Sequence, residues 1–168
     1  MIIRPARAQD IPRLQEIERA AAELFRPLGL LTLDSLSDVV STQEHAENIE
    51  AGLSVAGEDD GAVAGYATGR REGADVYLHQ IDVHPDFQQR GHGARLLNAF
   101  CDAAAKVGAA SVILSTFRDV PWNAPFYRKH AFVDVPRTDY LPWMREIETD
   151  QARMLDITTR VFMRRAPP

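Results

Sequence analysis

The chain has 168 residues, 45% of them hydrophobic and 26% charged, and a formal net charge of -5. Such a balance is ordinary for a soluble globular chain, and the length suffices for one core, so one domain over residues 1–168 is expected. The acidic excess argues against a broad nucleic-acid surface. No run of roughly 18 apolar residues and no charged-then-apolar leader predicts a membrane span or a secretory signal.

Taken in order, Ile2-Ile3-Arg4-Pro5 reads as a first strand. Asp10 is placed to cap a helix in which Ile11, Leu14, Ile17, Ala21, Leu24 and Phe25 recur at helical spacing, ending near Pro27 and Gly29. Residues 30–40 show apolar clustering without a clean period. Ser41 or Thr42 caps a second short helix reaching Ala51. Residues 53–56 and 62–69 read as strands joined by a hairpin turn, Glu58-Asp59-Asp60-Gly61, whose acids are expected to be solvated.

Residues 76–107 carry the strongest pattern. Alternation predicts a strand with Tyr77, His79, Ile81 and Val83 on one face and Leu78 and Asp82 on the other, ended by Pro85. Then comes Gln88-Gln89-Arg90-Gly91-His92-Gly93-Ala94, followed by a helix with Leu96, Leu97, Phe100, Cys101, Ala104 and Val107 on its apolar stripe. Gly108 sits where a left-handed cap belongs. A strand, a turn with two glycines and a helix make an anion cradle, because the first helical N–H groups lack internal partners and carry the positive end of the dipole. The run is neither a P-loop, which needs G-x-x-x-x-G-K-[ST], nor a dinucleotide fingerprint, whose third glycine is missing. His84 and His92 read as surface residues. The lone Cys101 lies on the packing stripe, cannot form an internal disulfide and fits a cytoplasmic chain.

Residues 111–117 form a β-branched and apolar strand, and the strand–helix–strand connection predicts right-handed parallel pairing. Pro125 suits the first turn of a helix starting near Asn123. Residues 132–135 read as a strand, 141–155 as a helix and 161–163 as a last strand. The five histidines and one cysteine show no metal-ligand spacing, so no metal is expected.

The run Gln88, Gly91, Gly93, Ala94 after the strand resembles the acetyl-CoA signature of the GNAT acetyltransferase superfamily, and Asn123-Ala124-Pro125-Phe126-Tyr127 through Phe132 resembles its second signature, N-x-x-F-Y-x-x-x-G-F. The resemblance implies an α/β fold with a mixed sheet of about seven strands, splayed between the fourth and fifth and flanked by helices on both faces. It implies acetyl-CoA as co-substrate, held at Ile81, Asp82, Val83, Gln88, Gln89, Arg90, Gly91, His92, Gly93, Ala94 and Asn123. It also implies that the first helix and the segment after it shape the acceptor site. Ala131 stands where the family has glycine, which predicts a cost of about 1 kcal/mol if its φ is positive.

Amine acetylation needs a deprotonated amine, a polarised thioester carbonyl and a neutralised leaving thiolate. The resemblance assigns the backbone of residues 81–83 to the carbonyl and Tyr127 to the thiolate as general acid. His79 is the candidate base. Its strand is similar to that of the arylalkylamine (serotonin) N-acetyltransferases, where two histidines two apart relay the proton; Tyr77 stands at the first of those positions. A half-buried structural histidine is the alternative. Phe25, Tyr77, Trp122, Tyr140 and Trp143 are candidates for an aromatic acceptor wall. The expected activity is transfer to a small-molecule primary amine by direct attack in a ternary complex. Acetylation of peptide or protein amines and a non-catalytic acyl-CoA sensor stay open, and a homodimer is compatible with the sequence.

Overall fold

The computed structural model describes residues 1–30 and 38–166. A mixed seven-stranded sheet with the order β1-β2-β3-β4-β5-β7-β6 runs through it. Its antiparallel half comprises β1 (Ile2–Pro5), β2 (Ser54–Asp59), β3 (Ala62–Glu72) and β4 (Asp75–Val83). Beyond β4 lie β5 (Val112–Phe117), parallel to it, then β7 (Arg160–Arg165) and β6 (Val133–Asp134), both antiparallel to their neighbours. Among the described residues, α1 (Ile11–Ala22), α2 (Thr42–Glu50) and α5 (Pro142–Gln151) cover one face. The other face carries α3 (His92–Lys106) and α4 (Ala124–Arg128).

The apolar stripes build these layers. Leu96, Leu97, Phe100, Cys101 and Ala104 of α3 are all fully buried against Leu78, Val112 and Leu114. Each large side chain of this kind contributes about 2 kcal/mol by leaving water. Helix α3 stops at Gly108, whose φ is 72°, and the Gly108 and Ala109 amides bond back to the Ala105 and Ala104 carbonyls as a Schellman closure. The Ser41 hydroxyl accepts from the Glu44 amide and starts α2. Asp60 and Gly61, both at positive φ, make the tight hairpin between β2 and β3.

Several expectations need correction. Helix α1 ends at Ala22 and tightens into a 3-10 turn over Glu23–Leu28, leaving Leu24 exposed. Helix α5 stops at Gln151 rather than 155, and β3 extends to Glu72. Residues 31–37, most of the segment without a period, lie outside the described residues. Ala131 does adopt a positive φ, 63°, so the alanine bears the conformation that glycine would take freely.

The largest correction concerns β4. Its register against β3 slips between Thr68, opposite Gln80, and Gly69, opposite Leu78, so His79 is an extra residue in a β-bulge. A bulge interrupts the period of two. Tyr77, His79, Gln80 and Asp82 therefore share the α1–α2 face, while Leu78, Ile81 and Val83 pack toward α3. Strict alternation puts Ile81 and Val83 with His79 and sends Asp82 to the opposite side. Gly69 makes the close approach possible: a Cβ there would lie 2.1 Å from the Tyr77 carbonyl oxygen and 2.8 Å from the Phe100 ring.

Candidate active site

Only Val76 and Tyr77 of β4 pair with β5, opposite Val112 and Ile113; beyond them the strands diverge. Residues 78–83 keep their bonds to β3 but have no strand partner on the β5 side. The gap opens into a cleft of about 1030 Å³ that reaches both faces of the sheet.

At the α3 end of the cleft, the turn holds Gln89 at φ 60° and Gly91 at φ 77°, the latter as N-cap of α3. The amides of residues 89–94 have no acceptor among the described residues. Bare amides at the positive end of a 15-residue helix form a site for a doubly charged anion. Gln88 is tied inward, donating from Nε2 to the Val83 carbonyl at 2.9 Å. His92 is buried, contrary to its expected surface position, and its Nε2 lies 2.8 Å from Asp59. Asp59 in turn holds the Met1 ammonium at 2.9 Å and is no free turn acid; that salt bridge and the His92 contact keep its carboxyl below the usual range. Arg90 reaches Asp59 at 3.6 Å.

Helix α4 presents Asn123 and Tyr127 to the same cleft. Asn123 Nδ2 donates to Thr116 Oγ1 at 2.7 Å, whereas its Oδ1 is buried with no partner among the described residues. Tyr127 packs between Phe126 and Phe132, and burial pushes its phenol well above the ordinary value, so the hydroxyl stays protonated.

The opposite wall is acidic. His79 stacks on Tyr77 with ring centroids 5.8 Å apart, and its Nδ1 lies 2.6 Å from Glu44 Oε1 of α2. That contact is the main reason the Glu44 carboxyl is held below its usual value. Asp82, brought to this side by the bulge, is raised to about 7 by burial, against the pull of a 2.8 Å bond from Gln80. Glu18 of α1 is also raised to about 7, first by burial and next by the charge of Asp82. The Tyr66 hydroxyl and the Val40 amide donate to it. Sequence reasoning missed Glu18. The available signal was its spacing: a carboxylate on the buried stripe, one residue past Ile17.

Phe25 lines the cleft and packs against Phe117, tilted at 5.5 Å, and edge-on against the exposed Trp122 at 5.8 Å between ring centroids. Tyr140 and Trp143 instead pack on Phe162 and are not among the residues that line the cleft. Cys101 lies under α3 with its thiol pushed up to about 11 by burial, which fits packing rather than nucleophilic chemistry. No group of three or more His, Cys, Asp or Glu residues suited to a metal occurs among the described residues.

Residues 13–132 match the acetyltransferase (GNAT) family. The chain belongs to that family. It is an acyltransferase with acetyl-CoA as co-substrate. Solved structures share the fold at low identity. One is N-acetylglutamate synthase from Neisseria gonorrhoeae complexed with coenzyme A and N-acetyl-glutamate: 19% identical, TM-score 0.74, covering 99% of this chain and 35% of that one. This chain thus spans about a third of that protein. PaiA N-acetyltransferase from Thermoplasma acidophilum in complex with coenzyme A is 16% identical with a TM-score of 0.73, covering 98% of each chain. The ribosomal-protein-S18-alanine N-acetyltransferase from Escherichia coli is 20% identical with a TM-score of 0.70, covering 99% of this chain and 93% of that one. The splayed strands, the bare turn amides and the Asn123–Tyr127 pair meet in one cleft. No helix among the described residues is long and apolar enough to cross a membrane.

Proposed function

We propose that this GNAT chain acetylates the primary amine of a small molecule by direct transfer in a ternary complex. The observation that carries the reading is the convergence in one cleft of an unpaired β4 edge, bare helix-start amides, a protonated phenol and desolvated carboxylates. When bound, acetyl-CoA supplies an acetyl group activated as a thioester. The amides of residues 89–94 hold its diphosphate. Asn123 Oδ1, buried without a donor, accepts from an amide of the pantetheine arm. Backbone N–H groups along residues 81–83 polarise the acetyl carbonyl, and the Tyr127 hydroxyl donates to the sulfur as it leaves.

The acceptor enters from the α1–α2 side. Asp82 and Glu18, poised near neutrality, take the ammonium proton. His79, anchored by Glu44, completes that wall and relays the proton outward. Phe25, Tyr77 and Trp122 bound the space left for the acceptor.

Thiol release with acetyl-CoA and a panel of arylalkylamines, polyamines, amino acids and peptides tests the reading. Turnover of small amines is expected. Turnover of peptides alone would replace the small-molecule acceptor with a peptide, and tight coenzyme binding without any turnover would make the chain a sensor.

A further inference from the structure

Arg160 is the one Arg or Lys among the described residues lining the cleft. Its guanidinium lies 4.5 Å over the Phe117 ring, and Nη2 donates to the Ser115 carbonyl at 2.9 Å and the Ser115 hydroxyl at 3.3 Å. Among the described residues, the buried Nε has no partner and no carboxylate lies within ion-pair distance. Desolvation works against its charge and lowers its pKa. A cation held this way lacks the one thing that would make its burial favourable, an anion.

That anion is not the coenzyme's diphosphate. Tyr77 and Ile113 mark the sheet face of α1, α2 and α5, and alternation along β5 puts Ser115 and Phe117 on it too. Arg160 pairs with Phe117 and so shares that face, whereas the bare amides of residues 89–94 belong to α3 on the opposite one. On the Arg160 face the two sides of the splay differ in charge. The β4 side carries Asp82, Glu18 and the His79–Glu44 pair; the β7 side carries Arg160. An acceptor that carries both an ammonium and a carboxylate matches both.

Resting on the reading above, we propose that the acceptor is an amino acid, its amine directed to Asp82 and Glu18 and its carboxylate bound by Arg160. The planar guanidinium, with Nε and Nη1 unbonded among the described residues, keeps donors for a carboxylate. The Ser115 hydroxyl, which accepts from Nη2 and donates to Gln151 Oε1 at 2.9 Å, orients the guanidinium.

The test pairs L-glutamate, L-glutamine, L-methionine and L-phenylalanine with their own α-amides in thiol-release assays. For the pairs that turn over, kcat/KM should favour the free acid by about 100-fold, since the amide leaves the buried cation unpaired. Arg160→Gln should bring that ratio close to one, and Arg160→Lys should retain part of it. A wild-type ratio near one overturns the proposal, as does a ratio that Arg160→Gln leaves unchanged while both members slow equally, the mark of a purely structural arginine. If no amine is acetylated, the transfer reading fails, but the subsite is still tested by calorimetric titration of the N-acetyl derivatives of the same pairs into coenzyme A-saturated protein. Preference for the acid then upholds Arg160 as a carboxylate site, and equal or absent binding overturns it.

Discussion

At the scale of single residues, the chemistry depends on groups whose protonation is set by burial. Burial holds Tyr127 protonated, so the contribution proposed for it is a hydrogen bond to the leaving sulfur. Tyr127→Phe keeps the ring packed between Phe126 and Phe132 and removes only that bond. Single-turnover rates should fall by about 100-fold with coenzyme affinity unchanged; an unaltered rate would take the acid role away from Tyr127. Asp82 and Glu18 accept a proton only when ionised, so kcat/KM should fall about tenfold per pH unit below about 7. Asp82→Asn lowers the rate and also relieves Glu18 of its neighbour's charge, which moves the midpoint to lower pH. His79→Ala should lower the rate without moving that midpoint. If His79→Ala shifts the profile and Asp82→Asn does not, the imidazole is the base.

At the scale of elements, the bulge in β4 decides which side chains meet. Gly69 permits it, since any Cβ there would collide with the Tyr77 carbonyl and Phe100. Gly69→Ala should cost about 3 kcal/mol in chemical denaturation and reduce activity in the protein that still folds, because β4 must move. A neutral change would mean that the strand pair tolerates a wider spacing. This element also shows what could be read beforehand. The glycine turn, the amphipathic α3, the Asn123–Tyr127 helix and the parallel β4–β5 pair were legible, because each is a local pattern with a short-range cause. Asp82 was not, because an extra residue in a strand leaves no mark in a period of two. Glu18 and Arg160 were not, because a buried charge on an otherwise apolar stripe acquires meaning only from distant neighbours. His92 and Asp59 escaped for the same reason, 33 residues apart in sequence and 2.8 Å apart in space.

At the scale of the whole molecule, the desolvated carboxyls tie function to stability with opposite signs. In the unfolded chain Asp82 and Glu18 ionise near pH 4, while in the fold they hold their protons up to about 7. Between those values the native state binds more protons than the unfolded state, so stability declines as pH rises from about 4 to about 7 and levels off above. Asp10 acts in the reverse sense. Although burial opposes it, the bonds from Arg4 and the Arg7 amide lower its pKa, so its contribution is present above about pH 4 and disappears in acid. The two windows meet near pH 4, which places the stability maximum there, on the acid side of the range where Asp82 and Glu18 are ionised. Denaturant titrations at pH 5 and pH 8 should differ by on the order of a few kcal/mol in favour of pH 5. The double variant Glu18→Gln with Asp82→Asn should erase most of that difference by gaining stability at pH 8, while losing activity there. A wild-type curve that is flat, or that rises between pH 5 and pH 8, would mean these carboxyls are ionised at ordinary values and the acceptor wall is wetter than its burial implies. The chain would then need another group to take the amine's proton at neutrality, and His79 would be the one left in place to do so.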